Sequence, residues 1–258
     1  MRYNMLDFIV ETAQLAGKEA MLHFGRLKAS EVSSKGTVRD LVSVADQAVE
    51  ALIVSRIKER FPEHDIFGEE SGRTGDSAEY CWVIDPIDGT QNFVKNIPVF
   101  SVSIGLKHNG EYVAGCVHQP ALGSTFYAEK GKGAFENGKR IHVSDCDNIE
   151  HAVCATGFAC LRAGLEHNNL PYFNKLAPII RSVLRTGSAA YDLCLVASGR
   201  LDGYWEFALQ EYDIAAGTVI AREAGAIVTD HRDKNNFPAD GILCSTPELH
   251  QQFLDYLK

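Results

Sequence analysis

The sequence predicts an α/β (α+β) fold in which sheets and helices stack in layers, rather than one doubly wound sheet. Two observations point to it. Several short strands follow one another between Val99 and Phe135 with no helix between them, whereas the second half alternates strands with helices. No internal repeat, low-complexity segment or break in composition marks a linker. Residues 1–258 are therefore expected to form a single compact catalytic unit. A possible subdivision into 1–146 and 147–258 falls near Ser144–Ile149.

The elements follow in order. Phe8, Ile9, Ala13, Leu15, Ala16, Ala20, Leu22 and Phe24 recur at helical spacing, which predicts an amphipathic helix over about Leu6–Leu27. A second helix, Ser43–Phe61, carries Ala45, Val49, Leu52, Ile53 and Ile57 on one side and stops before Pro62. Asp65–Gly68 reads as a short strand, Arg73–Glu79 as a polar loop and Tyr80–Ile84 as a buried strand. Ser101–Lys107, Tyr112–His118 and Thr125–Ala128 are strands separated by Asn109-Gly110 and Pro120-Ala121-Leu122-Gly123, both of which are turn chemistry. Beyond them come a strand at Ala152–Ala155, helices at Leu170–Leu176 and Ser188–Ala197, and a strand at Gly203–Glu206. A helix at Asp213–Glu223, a strand at Ala226–Thr229 and a helix at Pro247–Tyr256 complete the chain.

Composition narrows the function. Hydrophobic residues make up 45% and charged residues 23%, enough apolar material for a sizeable core. The formal net charge of -9 argues against a nucleic-acid or membrane-surface binder. An anionic small molecule stays open, because a bound divalent cation inverts the local field. The seven cysteines include no C-x-x-C pair and read as buried free thiols. With no signal-peptide pattern at the start and no membrane-length apolar run, the expected location is cytoplasmic.

The chemistry concentrates in carboxylates. Trp82-Val83-Ile84 delivers Asp85 at the end of an apolar strand, and Pro86 holds that residue extended. Asp88 follows three residues later, a spacing that suits a tight turn aiming both carboxylates at one point. Such a pair repels unless something positive lies between, and hard oxygen donors favour Mg²⁺, Mn²⁺ or Ca²⁺ over zinc. Gly89 lets the backbone approach a ligand, and Thr90–Phe93 can begin a short helix whose free N–H groups attract an anion. The bland reading is an Asx turn with an Asp-Gly loop. Gly68-Glu69-Glu70-Ser71 places further acids at a strand end, where a solvated loop is the competing reading. In Tyr212-Asp213-Ile214-Ala215-Ala216-Gly217, Asp213 opens a helix of small residues as an N-cap, a metal ligand or both.

These motifs resemble those of the inositol monophosphatase family, within the lithium-sensitive, metal-dependent phosphatase superfamily. Trp82 to Phe93 and Tyr212 to Gly217 carry the resemblance. Asp40 to Asp46, Gly68 to Ser71 and Gly187 to Ala190 follow the family's order around them. The resemblance implies a layered α-β-α-β-α fold, a homodimer, and two or three Mg²⁺ per active site, with Mn²⁺ as a substitute. It implies that Glu69, Asp85 and the Ile87 carbonyl hold one metal, and Asp85, Asp88 and Asp213 a second, with Glu69 also reaching a third. Gly89 and Thr90 would grip phosphate through backbone N–H groups, while the Thr90 hydroxyl and Glu69 orient the attacking water and Asp46 accepts from Thr90. Glu206 would contact substrate hydroxyls, and Gly187, Ser188 and Ala189 would line the same pocket. The implied activity is hydrolysis of inositol monophosphate by direct in-line attack of a metal-activated water, without a phosphoenzyme. Fructose 1,6-bisphosphate or another sugar or polyol phosphate is the alternative substrate, and a non-catalytic regulator that keeps the fold is the alternative of another class. Two positions depart from the family pattern: Tyr212 stands where Trp is usual, and Gln91 where Thr is common.

Other patterns are set aside. Gly133 to Arg140 approaches a nucleotide-binding loop but lacks the Ser or Thr that binds Mg²⁺, and Asn137-Gly138 reads better as a hairpin turn. The nine histidines form no zinc-hydrolase motif, and Ser188 lies in no G-x-S-x-G elbow. A two-metal nuclease would need a basic stripe that is lacking. Lys35 near the Asp40 block either draws in phosphate or is a solvated loop lysine. Arg185 is given no role.

Overall fold

A computed structural model describes residues 4–34, 41–75 and 79–257. The first helix, α1 (Met5–His23), starts on the Asn4 side chain and ends at Phe24, short of the expected Leu27 because Gly25 turns at a φ of +76°. Strands β1 (Val32–Ser34) and β2 (Leu41–Ser43) form a two-stranded ladder that the sequence reading missed. Helix α2 (Val44–Arg60) begins on a capping box in which Ser43 and Asp46 satisfy each other's backbone.

Eight strands then make the larger sheet: β3 (Asp65–Gly68), β4 (Gly72–Arg73), β5 (Tyr80–Asp88), β6 (Ser101–His108), β7 (Glu111–Gln119), β8 (Ser124–Glu129), β9 (Ala134–Glu136) and β10 (Lys139–Ile141). Their order is β10-β9-β8-β7-β6-β5-β3-β4. Only β3 and β5 pair in parallel, so most of this sheet is a hairpin meander built on the turns read from sequence. Asn137 and Gly138 both take positive φ in the β9–β10 turn, as a two-residue hairpin demands. Helix α3 (Thr90–Val94) interrupts the sheet between β5 and β6.

One strand end differs from the sequence reading. The expected tight turn between Asp85 and Asp88 is absent: β5 continues to Asp88, and its pairing with β6 slips between those residues. Pro86 supplies no N–H to the ladder, so the strand bulges across Pro86-Ile87 and resumes at Asp88.

The second half contributes β11 (Val153–Thr156), α4 (Ala159–Arg162), α5 (Leu170–Leu176), β12 (Ser182–Leu184), α6 (Ala189–Ala197), β13 (Gly203–Glu206), α7 (Glu211–Glu223), β14 (Ile227–Thr229), β15 (Ile242–Ser245) and α8 (Pro247–Leu257). Its five strands run β12-β11-β13-β15-β14, parallel from β12 to β13 and antiparallel beyond. Strands β12 and β15 escaped the sequence reading.

Alternation of side chains across the strands assigns the layers. Val102, Ile104 and Leu106 of β6 pack with Phe8, Ile9, Val49 and Ile53, so α1 and α2 cover one face of the larger sheet. Val117 and Phe126 on its other face join Leu193, Val196, Ile214 and Val219, which places α6 and α7 between the sheets. Trp205 and Leu243 pack outward with Leu176, Phe253 and Leu254 of α5 and α8. The result is the α-β-α-β-α sandwich. Close approach of α7 to the larger sheet depends on two glycines. A Cβ on Gly105 would lie 2.8 Å from the Ala215 Cβ, and one on Gly115 would lie 2.7 Å from the Ala216 Cα. No helix among the described residues is long and apolar enough to cross a membrane.

All seven cysteines are free, but Cys81 and Cys146 are only half-buried, against the expectation that all would be interior.

Candidate active site

The larger sheet and the middle helical layer meet in a cleft of about 480 Å³. Asp85 and Asp88 reach it from either side of the β5 bulge, and Asp213 reaches it from the first turn of α7. Each offers a carboxylate oxygen within 4.8 Å of the others'. The expected convergence of Asp85 and Asp88 with Asp213, far along the chain, is thus present. Asp213 does not open its helix as expected. Helix α7 starts two residues earlier, and the Asp213 side chain, third in a capping box, accepts the Gln210 N–H at 2.6 Å.

Glu69 follows the end of β3, held by its N–H to the Ile84 carbonyl, and its side chain shares a hydrogen bond with Asp85. Its turn is fixed from below by a residue the sequence reading passed over. Glu50, buried on α2, accepts Glu70 N–H at 2.9 Å and Ser71 N–H at 2.7 Å. The available signal was an acid lying on the helix's own apolar stripe, between Val49 and Ile53.

Asp88 is gripped by the start of α6. The Ser188 hydroxyl donates to Oδ2 at 2.6 Å and the Ala190 N–H at 2.8 Å, while the Ala189 N–H donates to Oδ1 at 3.2 Å. Ser188 and Ala189 line the cleft with Gly187, yet these donors are directed at Asp88. Ser101 adds a further hydroxyl at 3.3 Å. This helix start therefore stabilises a carboxylate, as its dipole favours.

Thr90 begins α3 after Gly89, whose φ of +97° is open to glycine and strained for other residues. The Thr90 hydroxyl lies 3.2 Å from Asp46 Oδ1 and 3.1 Å from the Ile87 carbonyl, and shares its one proton between them. Asp46 is itself fixed through Oδ2, which accepts the Ser43 N–H and hydroxyl at 2.8 and 2.7 Å. At the far side, Glu206 ends β13 with Oε1 accepting the Ala159 N–H and Oε2 the Tyr204 hydroxyl. Lys35 and Asp40 lie outside the described residues.

The electrostatics single out the same cluster. Burial first, then the Glu69, Asp88 and Asp213 carboxylates, push Asp85 well above the usual carboxylate range. Burial and the Asp88 charge do the same to Asp213, against the lowering effect of the Gln210 N–H. Burial also raises Asp88, opposed by its four donors. Asp85 Oδ1 is buried without a hydrogen-bond partner among the described residues. Converging carboxylate oxygens, one of them with no donor, fit a hard divalent cation, which would relieve both the repulsion and the unpaired atom.

A second arrangement imitates catalytic chemistry. His250 lies 3.1 Å from Ser245 Oγ through Nδ1 and 3.4 Å from Asp233 Oδ1 through Nε2. Ser245 is completely buried, so the trio is a packing feature with no route for a substrate.

The chain matches the model of the inositol monophosphatase family over residues 1–258. It is 38% identical over 258 residues to "Nus factor SuhB" of Vibrio cholerae, covering 99% of this chain and 96% of that one. It is 37% identical over 251 residues to "Fructose-1,6-bisphosphatase/inositol-1-monophosphatase" of Aquifex aeolicus, covering 97% and 94%. Among solved structures, an inositol monophosphatase from Anabaena superimposes with a TM-score of 0.88 at 35% identity, over 98% of this chain and 94% of that one.

Proposed function

The chain belongs to the inositol monophosphatase family, and from that premise we propose that it is a Mg²⁺-dependent phosphate monoester hydrolase. Inositol monophosphate is the substrate first supported by the Asp88-Gly89-Thr90-Gln91-Asn92-Phe93 motif, with fructose 1,6-bisphosphate second. The observation that carries the reading is the convergence of Asp85, Asp88 and Asp213 beside Glu69 and the start of α3.

Asp85, Asp88 and Asp213, with Glu69 and the Ile87 carbonyl, are the residues that would hold Mg²⁺, or Mn²⁺ in its place. Bound there, the ion supplies a Lewis acid for phosphoryl oxygens and acidifies water. The chain's own groups do the positioning. The Gly89 and Thr90 N–H groups hold the phosphate. When the Thr90 proton points at Asp46, the hydroxyl oxygen is left to accept from the attacking water, and Glu69 accepts the water's other proton. Glu206, which lines the cleft, is an acceptor suited to substrate hydroxyls. Catalysis then rests on orientation and charge stabilisation, with water attacking phosphorus in line.

The relatives named Nus factors motivate a second reading, a protein acting through contacts rather than turnover. The complete carboxylate set favours the enzyme, since a contact protein has no need of it. Phosphate release from a panel of polyol and sugar phosphates, titrated with Mg²⁺, tests this. Mg²⁺-dependent release from at least one ester is expected; Mg²⁺ binding without release from any would overturn it.

A further inference from the structure

Strand β11 ends at Thr156, and the segment from Thr156 to Ala159 runs directly past the Glu206 carboxylate. The Ala159 N–H donates to Oε1 at 3.1 Å, and the Tyr204 hydroxyl donates to Oε2 at 2.8 Å. A Cβ on Gly157 would collide with both carboxylate oxygens, so that glycine is where Glu206 finds its room. Thr156, Gly157 and Ala159 line the cleft together with Glu206. Displacing this segment therefore moves the carboxylate or removes one of its donors.

One fully buried side chain, Asn169 at the start of α5, pins the segment from behind. Its Nδ2 donates to the Gly157 carbonyl at 2.6 Å and to Thr156 Oγ1 at 2.7 Å. The carbonyl can only accept, which fixes the orientation of the amide. The Thr156 hydroxyl gives its one proton to the Trp205 carbonyl at 2.6 Å, so it accepts from Asn169. A directed chain of hydrogen bonds thus runs from Asn169 through Thr156 to the residue just before Glu206. The Asn169 N–H is held as well, donating to Cys160 Sγ at 3.3 Å.

Asn169 Oδ1, by contrast, is buried with no hydrogen-bond partner among the described residues. A buried oxygen without a donor costs stability, so packing alone does not account for an asparagine at this position. We propose that Asn169 is a positioning residue that acts through Thr156 and Gly157 to hold the Glu206 carboxylate where substrate hydroxyls reach it. It thereby sets the preference for hydroxyl-bearing phosphate esters over esters that carry no hydroxyl. Asn169 does not line the cleft and touches no substrate itself. This inference rests on the phosphatase reading above and deepens it with the group that aims the hydroxyl acceptor.

Steady-state kinetics with Mg²⁺ on inositol 1-phosphate and phenyl phosphate test it, since phenyl phosphate offers Glu206 no hydroxyl. For Asn169→Ala, the ratio of KM for inositol 1-phosphate to KM for phenyl phosphate is expected to rise roughly tenfold, with the two kcat values moving together. Thr156→Val breaks the same chain and is expected to raise the same ratio, while Thr156→Ser keeps the hydroxyl and should restore much of it. The Thr156 pair carries the test where Asn169→Ala does not fold. Adding Asn169→Ala to Glu206→Gln is expected to raise the ratio no further, because the two act as one unit. A wild-type ratio in Asn169→Ala or Thr156→Val, or additive effects in the double variant, overturns the positioning role and leaves the phosphatase reading standing. Wild-type release from phenyl phosphate alone, or from neither ester, also overturns it. Release from no ester of the wider panel overturns the phosphatase reading as well.

Discussion

Gly115 of β7 and Ala216 of α7 touch backbone to backbone: a Cβ on the glycine would fall 2.7 Å from the alanine Cα. That contact sets how deeply α7 sits against the larger sheet, and α7 carries Asp213. A helix displaced here moves its carboxylate away from Asp85 and Asp88.

Gly115→Val is therefore expected to weaken Mg²⁺ binding by roughly tenfold or more and to destabilise the fold by about 1–3 kcal/mol, the usual cost of overpacking. Calorimetric titration of Mg²⁺ and urea unfolding check the two effects. Unchanged Mg²⁺ affinity would show that the contact does not set the position of Asp213.

Asp85→Asn separates charge from shape. Without metal, the variant is expected to be more stable than the wild type, because it removes a buried charge crowded by Glu69, Asp88 and Asp213. With saturating Mg²⁺, turnover should fall by at least about 100-fold, more than the loss of an outer partner would cause. Thermal melts with and without Mg²⁺ and single-ester kinetics measure both. Wild-type-like turnover at saturating Mg²⁺ would rule out Asp85 as a ligand.

Glu50 touches no substrate, yet it holds the Glu70 and Ser71 N–H groups that shape the Glu69 turn. Glu50→Gln turns an amide NH₂ toward one of those donors. Mg²⁺ affinity or activity is expected to drop on the order of 10–100-fold while the far-ultraviolet spectrum stays native. An unaltered Mg²⁺ titration would remove Glu50 from the site.

His231 is one of four histidines whose pKa burial lowers, with His64, His118 and His250. Burial lowers the His231 pKa to about 4, with Nε2–H donating to the Ile242 carbonyl and Nδ1 without a partner among the described residues. Its folded pKa lies below the ordinary value of 6.5, so the unfolded chain binds the extra proton first. Its contribution is complete above about pH 6.5 and is lost as pH falls from there toward about 4. His231→Gln should flatten the decline in urea midpoint between pH 7 and 5 with Mg²⁺ present. An equally steep decline in the variant would place the acid sensitivity elsewhere.

Much of the fold could be read from sequence wherever one rule dominated. Asp65–Gly68, Leu170–Leu176 and Gly203–Glu206 were read to the residue because turn or helix-start chemistry bounds them on both sides. Strands β12 and β15 were missed since three or four apolar residues have no period of their own, and only neighbouring strands make them a sheet. The clustering of Asp85, Asp88 and Asp213 was legible through motif resemblance. The means was not: a Pro86 bulge in place of a turn, and a third-position capping aspartate in place of an N-cap. The α6 grip on Asp88 was invisible because it depends on packing between segments far apart in the chain, and Glu50 left only one trace, an acid on the apolar stripe of α2.

Asp213 completes the carboxylate cluster from a helix that lies between the two sheets. During synthesis, Asp85 and Asp88 leave the ribosome long before that helix exists. A growing or truncated polypeptide lacking α7 carries Asp85 and Asp88 without Asp213, and the three-carboxylate cluster cannot form. On the proposed reading, phosphatase activity is expected only once α7 has docked between the sheets, so its onset would report that docking.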